Sequence, residues 1–155
     1  MAKAGLEVLF VTDPSNQAWL TGYDGWSFYV HQGVVLGLEG APIWWGRSMD
    51  AVGAARTVWM DTDHIRGYGD HYIQSTTRHP MEDLAVVMGE LGFAKAKIGA
   101  EMENYYYSAK AHAVLNSALP NATLLDATAL VNWQRLVKSS AEISFIRRAA
   151  RITEK

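Results

Sequence analysis

The sequence predicts an α/β domain built on a mixed sheet, and three observations carry the prediction. Short β-rich runs alternate with segments of helical periodicity along the whole chain. Gly37-Leu-Glu-Gly40, set between two β-rich runs, places one antiparallel hairpin among strands otherwise joined through helices. With 155 residues, 49% apolar and 19% charged, the chain has the size and composition of one domain with a buried core.

The elements follow in order. Val8 to Thr12 is a short apolar run closed by Asp13-Pro14 and predicts a buried strand. Ser15 or Asn16 is the expected cap of a short helix through Trp19 and Leu20, stopped by Gly22. Phe28 to Leu36 is β-rich and turns through the hairpin into Ile43-Trp-Trp45. Met49 to Val58 has helical spacing with Asp50 near its start, and His64 to Tyr68 reads as a strand. Pro80 suits a first helical turn; Leu84, Val87, Met88 and Leu91 follow as one apolar stripe, and Gly92 stands where a C-terminal glycine belongs. Lys97 to Glu101 predicts a strand, Ser108 to Leu119 a helix ended by Pro120, Thr123 to Leu125 a strand, and Thr128 to Trp133 a helical turn. Ser139 and Glu142 have capping-box spacing, and Phe145, Ile146, Ala149, Ala150 and Ile152 then form an apolar stripe.

Composition removes several classes of function. Net charge is −2 and the basic residues are scattered, so neither nucleic acid nor an anionic membrane is expected as main partner. The chain has no cysteine, which excludes disulfides and thiolate metal sites and favours a cytoplasmic setting. Val8 to Val11 is too short to span a bilayer and lacks the layout of a signal peptide.

Chemistry is densest from Trp19 to His31. Aromatic residues at 19, 23, 26, 28 and 29 share neither a helical nor a strand face, and Gly22, Asp24 and Gly25 lie among them. Single rings such as Trp19 and Phe28, with Val30, can serve the core, but the run as a whole reads as a loop surface that a ligand or partner covers. Asp61, Asp63, His64, Asp70 and His71 carry metal-ligand chemistry, yet read as solvated turn residues, and His112 as a boundary residue. Asp13, Asp61, Glu101 and Asp126 fall near strand ends, where a two-metal nuclease would hold its carboxylates; the missing basic surface argues against that rival.

Asp13-Pro-Ser-Asn16, followed by Trp-Leu-Thr-Gly-Tyr-Asp-Gly-Trp-Ser-Phe-Tyr-Val-His31, resembles the N-terminal domain of the creatinase/prolidase ("pita-bread") hydrolases, and within them the ectoine-hydrolase branch of the creatinases. Pro42-Ile-Trp-Trp-Gly-Arg47 with Asp50, Asp70 to Ser75 with Arg78-His-Pro-Met81, Ile98-Gly-Ala-Glu101 with Tyr105-Tyr106, and the hinge from Val131 to Ala150 fit as well. The resemblance implies a mixed sheet of ribonuclease-H-like topology, with catalysis in a C-terminal domain that this sequence does not include. It implies a homodimer in which the N-terminal domain reaches over the neighbouring subunit's active site. The substrate-contacting residues would be Trp26, Phe28, Tyr29 and His31, with Arg47 and His71 supporting. The family's carboxylate-holding arginine falls on Val30, which cannot make a charge-assisted bond, so a cyclic amidine such as ectoine fits better than creatine. No cofactor is expected in this chain; the parent is metal-free if creatinase-like and holds two divalent metals if peptidase-like.

Residues 1–134 are accordingly expected to form the N-terminal domain, and 135–155 the hinge and the start of a linker helix. Met1 to Gly5 resembles the last turn of a longer leading helix, so the chain is expected to be cut at both ends. Two other readings stay open: the same domain of an Xaa-Pro dipeptidase or aminopeptidase, and a free-standing ligand-binding module.

Overall fold

The computed structural model describes residues 1–27 and 29–154. Six strands, β1 (Val8–Val11), β2 (Gly33–Gly37), β3 (Ile43–Arg47), β4 (Ile65–Tyr68), β5 (Lys97–Ala100) and β6 (Thr123–Asp126), form one sheet in the order β4-β3-β2-β1-β5-β6. The β1–β5, β5–β6 and β3–β4 pairs are parallel, while β2 runs antiparallel to both β1 and β3. The expected single hairpin is thus one of two antiparallel pairings. The second arises because the segment after the first helix returns its chain alongside β1.

Alternation along the strands gives the sheet two apolar faces. Val8, Phe10, Val35, Ile43, Trp45, Ile98 and Ala100 pack with residues of α3 (Pro80–Glu90) and α4 (Ala109–Ala118). Leu9, Val11, Val34 and Trp44 pack on the other side with Ala54 of α2 (Ser48–Thr57) and Val131 of α5 (Leu130–Leu136). The indoles of Trp44 and Trp45 are fully buried, one on each face. Each contributes a large apolar area, at roughly 25 cal/mol per Å² removed from water. Trp45 also donates from Nε1 to Asp83 Oδ1 at 2.8 Å, tying the sheet to α3.

The element ends follow the sequence with two revisions. In α1 (Pro14–Thr21) the cap is Asp13, not Ser15 or Asn16: its carboxylate accepts from the Asn16 amide at 2.9 Å, and Pro14 occupies the first turn. Gly22 ends the helix with φ +79°, a left-handed conformation that suits glycine. Strand β2 starts at Gly33, later than the β-rich run suggests, because residues 29–32 are drawn into side-chain contacts described below. A Cβ at Gly33 would stand 2.5 Å from Phe10 Cε2 and 2.7 Å from the Val11 carbonyl, so the start of β2 is held to glycine by close packing. The last helix, α6 (Ser140–Thr153), begins with the capping box read from Ser139 and Glu142 and leaves Phe145, Ile146 and Ile152 exposed. No helix among the described residues is long and apolar enough to cross a membrane.

Candidate functional site

Strands β1, β3, β4, β5 and β6 run in one direction, so their carboxyl ends share one edge of the sheet with the start of β2. Open α/β sheets bind ligands along this edge, because the loops there are free to vary above a rigid frame. The segment from Gly22 to Gln32 enters β2 at this edge.

The aromatic run divides between core and surface. Tyr23 is buried; its ring lies 5.1 Å from that of Trp44, and its hydroxyl donates to Gln32 Oε1 at 3.2 Å, joining the two ends of the segment. Burial, with Asp50 nearby, pushes the Tyr23 hydroxyl up to about 12, so it stays a donor. Val30 is buried as well. Trp26 and Tyr29 are 57% and 68% exposed. Trp26 is braced by donating from Nε1 to the Tyr106 hydroxyl at 2.8 Å, with the two rings edge to face. Trp19 is 44% exposed, outside the core, and donates to Glu142 at the start of α6. Phe28 lies outside the described residues.

His31 is half-buried at the inner end of this shelf. Its carbonyl accepts from the fully buried Tyr68 hydroxyl at 2.6 Å, which bends residues 29–32 away from strand geometry. Its ring faces that of His79 at 5.0 Å. Tyr29, Val30 and His31 line two adjoining cavities. One, of about 190 Å³, is completed by Tyr72, Gln74, Ser75, Arg78 and His79; a smaller one, of about 80 Å³, is completed by Gln32, Tyr105 and Tyr106.

Both histidines are held toward the neutral form. Burial lowers His31, partly offset by the Tyr106 backbone. His79 falls to about 4, through burial first and then the nearby His31 and Lys110, against a small opposing pull from Glu82. His79 caps α3 by accepting from the Met81 amide at Nδ1, 3.2 Å away, which leaves its proton on Nε2. Arg47 binds Asp70 through two parallel contacts of 2.7 and 3.0 Å, which raise the arginine and lower the carboxyl. The pair fastens the end of β3 to the loop after β4, with Tyr29 close enough to act on Arg47. His71 is exposed and stacks on Tyr72 at 4.3 Å, touching the cavity through that ring.

A second polar cluster fills the gap between the ends of β1 and β5. The buried Glu101 carboxylate accepts from the Thr12 and Asp13 amides at 2.7 and 2.8 Å and from Asn16 Nδ2 at 2.6 Å. Asn16 also donates to Asn132 and accepts from Arg135 Nη1 at 2.6 Å. Asn16 is thereby committed to the interior, which is why it does not cap α1. The cluster fastens α5 to the sheet. It does not resemble a nuclease centre, because Glu101 spends its acceptors on protein donors and Asp61 lies in the turn before β4. Among the described residues no three His, Asp or Glu side chains are placed to hold a metal ion.

Of the residues read from sequence, Tyr29 and His31 therefore line the same two cavities, Trp26 reaches the smaller one through Tyr106, and Arg47 and His71 brace the neighbouring loop. Tyr72, Ser75, Arg78, His79 and Tyr106, which help complete the two cavities, lie within the family motifs of the sequence but were not assigned to the site. Arg78-His-Pro-Met81 was visible as a motif, but nothing in it gave its distance from His31.

A six-stranded mixed sheet with helices packed on both faces and exposed aromatic residues at its carboxyl edge defines an α/β domain. The chain belongs to the creatinase/prolidase N-terminal domain family, whose model matches residues 1–137. It is 56% identical over 153 residues to an ectoine hydrolase of Halomonas elongata, covering 98% of this chain and 38% of that protein. It is 42% identical over 157 residues to an uncharacterized hydrolase/peptidase of Sinorhizobium fredii, of which it covers 40%. Among solved structures, a dipeptidase from Pyrococcus horikoshii superposes with a TM-score of 0.72 at 18% identity, over 98% of this chain and 38% of that one, a likeness of fold. The chain thus spans about two-fifths of the length of these curated relatives.

Proposed function

We propose that this chain is the substrate-covering, non-catalytic N-terminal half of a creatinase-like C–N hydrolase that opens ectoine or a similar small cyclic amidine. In the working protein, a homodimer, the shelf closes over the neighbouring subunit's active site. The observation that carries this reading is the placement of Tyr29 and half-buried His31 around two small cavities at the loop edge of the sheet, with exposed Trp26 bonded to Tyr106 of the smaller one.

The chemistry suits that role. Flat aromatic faces attract a delocalised amidinium, and closing them over a site expels water and fixes the orientation of the ring. Neutral His31, with its ring N–H turned to the Tyr106 backbone, can offer its other ring nitrogen as an acceptor there. Phe28 enters by family resemblance alone. Proton transfer belongs to the C-terminal half, without metal, as in the creatinase branch.

Subunit mixing tests the arrangement. Residues 1–155 are joined to the C-terminal part of the Halomonas elongata relative. One version carries Trp26→Ala and His31→Ala; another carries an inactivated catalytic half. Each alone is expected to be nearly inactive toward ectoine. Mixing them should restore part of the activity, because an intact shelf then covers an intact site in trans. No recovery in a verified mixed dimer would place the shelf over its own subunit and overturn the arrangement.

A further inference from the structure

The larger cavity contains an arginine that the resemblance did not assign. Arg78 is an exposed residue at the rim of the 190 Å³ space, and among the described residues its guanidinium has no hydrogen-bond or ion-pair partner. An arginine keeps its charge at all working pH values and presents parallel N–H donors matched to a planar oxyanion. No carboxylate lines the cavity to neutralise it. Glu82 acts on His79 from α3, but is not part of the lining.

The rest of the wall fits the same ligand. Ser75 Oγ accepts from the Arg78 amide at 3.0 Å and from the Thr77 amide at 3.3 Å, which fixes the turn carrying the arginine. Just before it, Gln74 holds φ +51°, a left-handed conformation uncommon outside glycine. Neutral His31 and His79 flank the space without adding charge, so a single cation faces a small, partly enclosed volume. At about 30 Å³ per water-sized group, the space admits roughly six, enough for one end of a small molecule.

We infer that this cavity is a carboxylate subsite in which Arg78 binds the oxyanion of a small organic acid in bidentate fashion. The ligand class stands on the cavity's own geometry. Its assignment to the carboxylate of an ectoine-like substrate rests on the function proposed above. In that reading, Arg78 supplies from the loop before α3 the charge that Val30 cannot.

The test uses the 155-residue chain with N-acetylglycine and its uncharged counterpart N-acetylglycinamide as probes, followed through the backbone amide signals of residues 75–81. The acid should produce saturable shifts there and the amide should not. Arg78→Ala should weaken the response about tenfold or more, as expected for loss of a charge-assisted pair. Arg78→Lys, which keeps the charge without the fork, should fall between. Equal responses to acid and amide, no saturable response to the acid, a response to inorganic phosphate alone, or an unchanged Arg78→Ala variant would each overturn the subsite. A positive result here with no ectoine turnover in the joined protein would leave the subsite standing and remove the substrate assignment.

Discussion

The rings of His31 and His79 face each other at 5.0 Å, although one enters β2 and the other caps α3. The contact joins the aromatic shelf to the helix that closes the cavity, and it requires both rings to remain largely neutral. His79 is depressed from 6.5 to about 4. Above the ordinary value neither folded nor unfolded chain protonates it. Between 6.5 and about 4 the unfolded chain takes up a proton that the folded chain refuses, so stability falls as pH drops through that window. Protonation would also turn Nδ1 from acceptor to donor and break the cap on the Met81 amide. His79→Asn keeps a capping acceptor and removes the titration. Urea midpoints at about pH 7 and about pH 5 should therefore drop more for the wild type than for this variant.

The Tyr68 hydroxyl holds the His31 carbonyl at 2.6 Å from a fully buried position. Tyr68→Phe should cost about 1 kcal/mol in stability. The effect should be local as well: amide hydrogen exchange of residues 29–32 should quicken more than that of β5.

Glu101 gathers two backbone amides and Asn16, and through Asn16 it reaches Arg135 at the end of α5. Glu101→Ala would leave buried donors without an acceptor, and a loss of about 3 kcal/mol or more is expected from the denaturation midpoint. Glu101→Gln should lose less, because one amide oxygen still accepts. If the cluster serves only structure, activity of the joined protein should fall in step with the folded fraction in both variants.

Gly33→Ala should destabilise by about 1–3 kcal/mol, since the new methyl meets the Phe10 ring and the Val11 carbonyl. Thermal unfolding of the variant checks this.

Local signals in the sequence located most of the frame. The apolar run of β1, the Pro80 start and apolar stripe of α3, and the Ser139–Glu142 capping box all depend on residues close together in the chain. Long-range contacts decided what local reading missed. Asn16 has the chemistry of a cap, but Glu101, 85 residues away, claims its side chain, and Asp13 caps α1 instead. Residues 29–32 have strand composition, yet Tyr68 holds the His31 carbonyl and β2 begins only at Gly33. The same limit applies at the site. Trp26, Tyr29 and His31 stood out as one run, whereas Arg78 and His79 reach the cavity from more than forty residues away, past a left-handed Gln74 that composition does not announce.

The central claim is that this chain shapes and covers an ectoine-type site without performing the chemistry. Ectoine ring opening, followed by proton NMR, tests it most directly, comparing the 155-residue chain alone with the same chain joined to the C-terminal part of its Halomonas elongata relative. The account predicts no turnover by the chain alone, turnover by the joined protein, and weaker turnover when Phe28 is replaced with Ala. Ring opening by the isolated chain, or a joined protein that cleaves Xaa-Pro dipeptides and leaves ectoine intact, would contradict it.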